Sequence, residues 1–345
     1  MVLEVVMRRT IPWVRWSLVF VGLMTVTACG GSGDTSGGAS GYAGTWQVAV
    51  GPDPKFTLDL VAADGSYTFD LHGAELPIAG TGTETAGGME LAADITGFGH
   101  FTAALVFTGD GRAFTGTWAV PDAPASGTIT GSRDPWPTWD LDQQGVPQIA
   151  TSDCIDLDAV LRLSRFRSGA GHDYSDDFET CRSMKHYFHP KVGVDMSTIR
   201  IYAPFSGTVV GTTEEWDGPA LWKGTAVGIR PDGYPAFHVV LFHVDLHLSL
   251  AVGDTVTAGQ EIGTSEKQDG TAGDVAIGIR TPAGFRLASW FEVMTDDVFA
   301  AYAARGVSAR SDMIVTAAQR DADPLICDGQ EFQSASSFPD WVDLN

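Results

Sequence analysis

The sequence has few basic residues. Lys and Arg number 21 against 43 Asp and Glu, which gives a formal net charge of −22 over 345 residues. Proteins that bind nucleic acid rely on a basic surface, so nucleic acid is excluded as a partner. Disorder is also excluded, because 44% of the residues are apolar, enough for packed cores.

Long hydrophobic runs are scarce as well. The run from Trp16 to Ala28 is too short to span a bilayer comfortably, and it follows Arg8, Arg9 and Arg15. A basic start followed by a short apolar stretch is typical of a signal peptide, which is removed and takes no part in the fold. Residues 1–29 are therefore predicted to direct export.

The end of this segment, Val26-Thr27-Ala28-Cys29, resembles the lipobox of bacterial lipoproteins. That resemblance implies cleavage before Cys29 and attachment of lipid to its thiol, which would anchor the chain to a membrane. An incidental cysteine after an ordinary secretory signal is the alternative. Residues 30–41, mostly Gly, Ser, Ala and Thr, are predicted to be a flexible tether. Gly30 replaces the aspartate that retains some lipoproteins at an inner membrane, which favours the outer membrane or the cell surface.

Cysteine is rare, with four in the chain. If Cys29 carries lipid, Cys154, Cys181 and Cys327 remain, and exported domains commonly contain disulfides. One bridge is therefore expected. We predict the pair that is closest along the chain, Cys154–Cys181, although the sequence leaves the other pairings open.

Residues 42–134 contain short alternating segments such as 67–71 and 101–107, separated by turn signals about every ten residues. This pattern predicts an antiparallel β barrel or sandwich. Two Gly-Thr-Trp phrases, ending at Trp46 and Trp118, give it a resemblance to lipocalin-like domains. The two tryptophans could line a ligand cavity, but we favour core packing, because a barrel of about 90 residues has little spare interior.

Residues 135–152 are predicted to be a linker, residues 153–330 a second domain, and residues 331–345 a tail without clear pattern. In the second domain, helices are predicted at Leu157–Leu163 and after Thr295, the latter ending near Gly306. The remainder indicates strands. The fold class is therefore mainly β, with a few short helices.

Two phrases in the second domain identify a possible fold. They are Ala203-Pro204-Phe205-Ser206-Gly207-Thr208-Val209-Val210 and Val252-Gly253-Asp254-Thr255-Val256-Thr257-Ala258-Gly259-Gln260-Glu261-Ile262-Gly263. Both resemble the β core of the lysostaphin/LytM-type zinc endopeptidases, a duplicated hybrid-motif fold whose members cleave peptidoglycan. Biotinyl- and lipoyl-carrier domains use similar phrases, so the resemblance implies a fold more than a reaction.

The resemblance also implies a zinc site of two histidines and one carboxylate, with two further catalytic histidines. His172 and Asp176 match the spacing of the first ligand pair, although Tyr174 replaces a glycine. His189 and Asp195 are the rival pair. His243, ten residues before Gly253, matches a catalytic histidine.

The closing strand departs from the family. Where the family has His-x-His, this chain has Asp274-Val275-Ala276, and an alignment shifted by one residue gives Val275 and Ile277 instead. The sequence has no histidine after His247. One zinc ligand and one catalytic base are therefore missing. Asp274 could join His172 and Asp176 in a metal site, but that oxygen-rich set suits a weakly held cation better than zinc.

These observations predict a cell-envelope lipoprotein whose peptidase-like domain lacks the full catalytic set and binds peptidoglycan or an envelope protein. A divergent metal-dependent peptidoglycan endopeptidase is the first alternative. The second is a lipoprotein that binds a small ligand in its N-terminal β domain.

Overall fold

A computed structural model describes residues 41–345, except 64, 74–77, 97–98, 123–124, 218–220, 248 and 267–269. The predicted signal peptide, Cys29 and nearly all of the tether lie outside the described residues. The protein is mainly β with a few short helices, as predicted. Within the described residues, no helix is both long and apolar enough to cross a membrane.

The first domain is a barrel of eight antiparallel strands. Each strand pairs with the next, and the last pairs with the first, which closes the sheet. The strands are β1 (Gly44–Val50), β2 (Asp53–Ala63), β3 (Ser66–His72), β4 (Ile78–Thr85), β5 (Gly88–Ile95), β6 (Gly99–Phe107), β7 (Ala113–Val120) and β8 (Ala125–Ser132). Of the two predicted architectures, barrel and sandwich, the chain therefore forms the barrel.

Apolar side chains fill the barrel. Alternate residues of β3, Tyr67, Phe69 and Leu71, point inward and are buried, as the period of two predicted. Trp46 and Trp118 are 0% and 2% exposed and belong to the same apolar cluster. Both tryptophans are thus core residues of the barrel.

The second domain is built on antiparallel strand pairs. Its strands are β9 (Val160–Ser164), β10 (His186–Pro190), β11 (Arg200–Tyr202), β12 (Gly207–Asp217), β13 (Leu221–Pro231), β14 (Phe237–Leu246), β15 (Thr255–Val256), β16 (Glu261–Ser265), β17 (Gly273–Thr281) and β18 (Gly284–Ala288). Strand β17 lies between β14 and β10, and this arrangement positions the site described below.

Four short α-helices accompany these strands: α1 (Leu141–Gln144), α2 (Trp290–Val293), α3 (Asp296–Ala303) and α4 (Ala317–Ala322). Helix α3 follows Thr295 as predicted, and Gly306, with φ of +101°, lies just beyond its end. The segment 135–152 contains α1, and Trp139 packs there against Phe237 of the second domain.

The helix predicted at Leu157–Leu163 is wrong. A single 3-10 turn over Leu157–Ala159 leads directly into β9. That strand pairs with β10 on one side and, on the other, with β21 (Trp341–Asp343). Strand pairing between distant segments overrides local helix propensity here. The C-terminal residues, which showed no clear sequence pattern, thus contribute a strand, and β19 (Cys327–Asp328) and β20 (Glu331–Phe332) form a small hairpin before it.

The disulfide pairing expected from chain proximity is also wrong. Cys181 bonds to Cys327, and Cys154 is a free, buried thiol. Cys154 lies in the main core of the second domain, where burial raises the pKa of its thiol well above the ordinary value. Cys181 instead lies on a loop beside the C-terminal hairpin, which brings together two cysteines 146 positions apart.

The two domains meet where β8 of the barrel contacts β12. Thr213 pairs with Gly127, and the Thr212 N–H donates to Thr128 Oγ1 at 2.9 Å. Glycines allow this close approach, since a Cβ on Gly211 would lie 1.9 Å from the carbonyl oxygen of Gly51. Backbone from one domain therefore packs directly on backbone from the other.

Candidate functional site

Asp274, at the start of the closing strand β17, is the centre of the candidate site. Its backbone pairs with Phe242 of β14 on one side and with Tyr187 of β10 on the other. Residues paired across antiparallel strands present their side chains on the same face, as do residues two apart in one strand. Lys185, two residues before Tyr187, is thus brought beside Asp274.

Lys185 forms a buried ion pair with Asp274. Its ammonium lies 2.7 Å from Asp274 Oδ2, and the two side chains are 2% and 0% exposed. Three aromatic rings surround the ammonium, with centroids 4.3–5.1 Å away: Phe242, Tyr187 and Tyr174. Ring faces attract cations most strongly where water is excluded, so the pocket is built to hold this positive charge.

Ala276 gives the lysine room. Extending the register of β10 and β17 by one residue places Lys185 opposite Ala276, which is buried in the same cluster as Tyr174 and Phe242. According to the family resemblance, positions 274 and 276 would carry the two histidines of the closing strand. The ammonium of Lys185 thus lies beside both positions where imidazoles are expected.

His243 extends the network on the other side of Asp274. Its Nε2 is 3.7 Å from Asp274 Oδ2, and its Nδ1 is 3.2 Å from Glu215 Oε2. The His243 backbone N–H also donates to Glu215 Oε2 at 2.7 Å. Acidic and basic groups thus alternate in the order Glu215, His243, Asp274, Lys185.

The backbone at His243 is in an unusual conformation. Its φ is +61°, in the left-handed region that residues with a Cβ rarely adopt, and the pairing of β13 with β14 is irregular at this point. Gly224 packs on it so closely that a Cβ there would lie 2.6 Å from the His243 carbonyl carbon. Such strain persists only where the surroundings over-determine it, and it is frequent at functional sites.

Burial is the main influence on the pKa of Glu215. Desolvation raises its pKa, and the nearby imidazole of His243 opposes this by favouring the carboxylate. The side chain of His243 is 14% exposed, so one edge of the network reaches the surface.

The predicted metal ligands are not brought together. Asp176 accepts the backbone N–H groups of Phe178, Glu179 and Leu287, so its carboxylate fixes a turn against β18. Asp274 is paired with Lys185. Among the residues that the structure describes, no three His, Cys, Asp or Glu side chains form a group able to hold a metal ion.

His172 contacts Tyr187, one of the rings around the Lys185 ammonium. Its backbone N–H donates to the Tyr187 hydroxyl at 3.4 Å, and the two rings are 6.4 Å apart. The rival pair lies apart from the network. His189 packs against Trp341, and Asp195 caps the 3-10 turn over Met196–Thr198.

The residues around Asp274 do not fit zinc. The closing strand supplies one carboxylate and a methyl group in place of two imidazoles, and the carboxylate already pairs with an ammonium. A dication placed there would meet the buried positive charge of Lys185 at close range. The chemistry of this donor set therefore favours a fixed protein cation over a metal.

Lys185 and Glu215 are site residues that the sequence reasoning missed. Lys185 is 89 positions from Asp274, and no local pattern links them. For Glu215 a signal existed, because strand alternation places it on the same side of β12 as the buried Val209 and Thr213. A carboxylate at an inward strand position indicates a buried partner.

The two other histidines of this region differ. His238, expected to be structural, is 3% exposed and stacks on Phe285, and burial lowers its pKa to about 3. The ring of His247 is 45% exposed, with Nε2 3.4 Å from Glu261 Oε1. Neither histidine joins the Asp274 network in the described contacts.

No protein-family model matches the chain, and no curated protein matches it. Among solved structures, the chain is similar to Helicobacter pylori Csd3 in an orthorhombic crystal, at 12% identity and a TM-score of 0.29, over 68% of this chain and 51% of that one. The same protein in a hexagonal crystal matches at 11% identity and a TM-score of 0.26, over 76% and 80%. The chain thus spans about half the length of the first of these structures.

Proposed function

We propose that this protein is a lipid-anchored component of the cell envelope whose LytM-like second domain binds peptidoglycan without cleaving it. The observation that carries the proposal is the Lys185–Asp274 ion pair, buried at the closing strand where the family resemblance implies zinc-site histidines. A domain that keeps the fold but fills the metal position with its own cation retains a surface for recognition.

The chemistry of hydrolysis supports the non-catalytic half of this proposal. A LytM-type enzyme needs a Lewis acid to activate water and imidazoles to move protons. His243 is the one catalytic histidine that the resemblance places here, and it lies between two carboxylates. An additional carboxylate near the reacting carbonyl would disfavour a developing oxyanion.

We expect purified mature protein to sediment with purified sacculi but to release no muropeptides above the buffer control, with or without added zinc. Loss of a positioned acid or base alone typically costs about 10²–10⁴-fold in rate, and here a metal ligand is missing as well. The measurement is chromatography of soluble muropeptides after prolonged digestion. An active LytM-type enzyme is the positive control.

His172→Ala and His243→Ala variants sharpen the digestion experiment. Zinc-dependent release of muropeptides that either substitution abolishes would contradict the proposal and favour the divergent endopeptidase. Failure of the wild type to sediment with sacculi would instead remove peptidoglycan as the ligand and leave an envelope protein as the partner.

The anchoring half of the proposal is tested at Cys29. We expect Cys29→Ala to move the protein from washed membranes to the soluble fraction, because the thiol that would carry the lipid is gone. A flexible tether of twelve residues has an end-to-end distance of roughly 20 Å, so it would allow the anchored domains to move away from the bilayer. The readouts are membrane fractionation and incorporation of labelled fatty acid. Retention of the variant in washed membranes would contradict a lipid anchor at this residue.

A further inference from the structure

A groove runs along the outer face of the barrel, beside the contact with the second domain. Its volume is about 830 Å³, and its lining comes from β4 to β8 on one side and from β12 on the other. Three core residues of the barrel, Leu91, Ala103 and Trp118, also border the groove. The groove is distinct from the Asp274 network.

Small hydroxyl-bearing side chains dominate the groove. The outward positions of the strands present a series of threonines: Thr81, Thr83, Thr102, Thr117, Thr128 and Thr212. Ser126 and the methyl groups of Ala92, Ala104 and Ala119 lie among them. A hydroxyl both donates and accepts hydrogen bonds, and a methyl group packs on C–H surfaces. The lining is thus suited to a ligand that alternates polar and apolar edges.

The charges of the groove select among ligands. Glu90 and Glu214 contribute carboxylates, His100 contributes an imidazole, and the described lining contains no Lys or Arg. Carboxylates accept hydrogen bonds from O–H and N–H donors and repel phosphates and other carboxylates. Anionic polymers are therefore disfavoured, and a neutral ligand rich in donors is favoured.

The walls of the groove are held in place before any ligand binds. Ser126 Oγ donates to Glu214 Oε2 at 3.0 Å, and Thr128 Oγ1 donates to the Thr212 carbonyl at 3.2 Å. A Cβ on Gly127 would lie 2.7 Å from that same carbonyl oxygen, so the two sheets are in contact. A preformed site avoids the cost of ordering its side chains when it binds.

We propose that this groove binds the glycan strand of peptidoglycan. The inference rests on the proposed function and extends it, because the groove adds a contact for the same polymer on the barrel, next to β12 of the second domain. N-acetylated sugars are uncharged and carry hydroxyl and amide groups along the chain, which matches the threonine array and the two carboxylates. The stem peptides carry carboxylates of their own, so the acidic groove favours the sugar over the peptide.

The test compares two exposed positions on one strand. Ala104 lines the groove, whereas Val106, two residues along β6 and also exposed, does not. We expect Ala104→Arg to weaken binding of a soluble N-acetylglucosamine tetramer about tenfold, the effect of losing one or two net hydrogen bonds. Val106→Arg should bind as the wild type does. Isothermal titration or NMR titration gives Kd, and circular dichroism confirms the fold.

A second matched pair of variants keeps the test valid if one variant of the first pair misfolds. Thr117 lines the groove, and Thr115, also exposed on β7, lies outside it. Thr117→Arg should weaken binding of the tetramer, and Thr115→Arg should not. If the wild type binds sacculi but not the tetramer, or if both members of each pair bind equally, the groove assignment is wrong and the proposed function stands. If the wild type fails to bind sacculi, the proposed function itself fails.

Discussion

Lys185→Met is expected to lower the free energy of unfolding by about 3–5 kcal/mol, the usual cost of removing one partner of a buried ion pair. The substitution keeps most of the side-chain volume but leaves Asp274, which is 0% exposed, without its ammonium. Urea unfolding of the variant and of the wild type under the same conditions measures the loss.

A double variant separates the loss of charge balance from the loss of packing. Lys185→Met with Asp274→Leu replaces both charges by apolar groups, so we expect it to recover most of the lost stability. Lys191→Met, at a partly exposed lysine, is the control and should change stability by about 0.5 kcal/mol or less. A Lys185→Met single variant as stable as the wild type would contradict a buried ion pair.

Removal of the Cys181–Cys327 disulfide should cost about 2–5 kcal/mol, within the range for native bridges that close long loops. The bridge spans 146 positions, so its loss releases a large loop in the unfolded chain. Both cysteines are only partly buried, so serine in their place adds little packing cost of its own. Thermal or urea unfolding of the Cys181→Ser/Cys327→Ser double variant measures the loss.

Thiol counting tests the pairing independently of stability. In the soluble domains without Cys29, non-reducing alkylation of the denatured wild type should label Cys154 alone. Cys154→Ala should then show no label, whereas Cys181→Ser should expose both Cys154 and Cys327. Labelling of Cys327 in the oxidised wild type would show that Cys181 pairs differently or remains reduced.

The antiparallel strands of the first domain could be predicted from the sequence because their pattern is local, whereas closure into a barrel rather than a sandwich depends on the pairing of β1 with β8. Alternation in β3 and β6 identifies inward residues without knowledge of their partners, and the turns between strands are marked by Gly and Asp. The helix expected at Leu157–Leu163 failed for the opposite reason. Residues 160–164 form a strand because they pair with β10 and with the C-terminal β21. No local pattern indicates either pairing.

The candidate site, too, could be predicted only in part from the sequence. The absence of histidine at positions 274 and 276 is visible in the sequence. What replaces the histidines is not visible, because Lys185 reaches Asp274 only through the pairing of β10 with β17. The left-handed backbone at His243 likewise results from tertiary packing against Gly224.

The disulfide pairing is a third feature that could not be predicted from the sequence. Proximity along the chain favoured a Cys154–Cys181 pair. The two residues lie in different environments, because Cys154 belongs to an apolar core and Cys181 to a surface loop. Composition distinguishes these environments poorly when each cysteine stands beside charged residues, as Cys154 does beside Asp153 and Cys181 beside Arg182.

Closure of the barrel has a consequence for the behaviour of the protein at high local concentration. A sheet edge offers unpaired N–H and C=O groups to any neighbouring molecule, and such edges promote self-association. Each of the strands β1 to β8 has a paired strand on both sides, so these groups are used within the domain. Barrels crowded side by side would therefore present outer strand faces to one another rather than open strand edges.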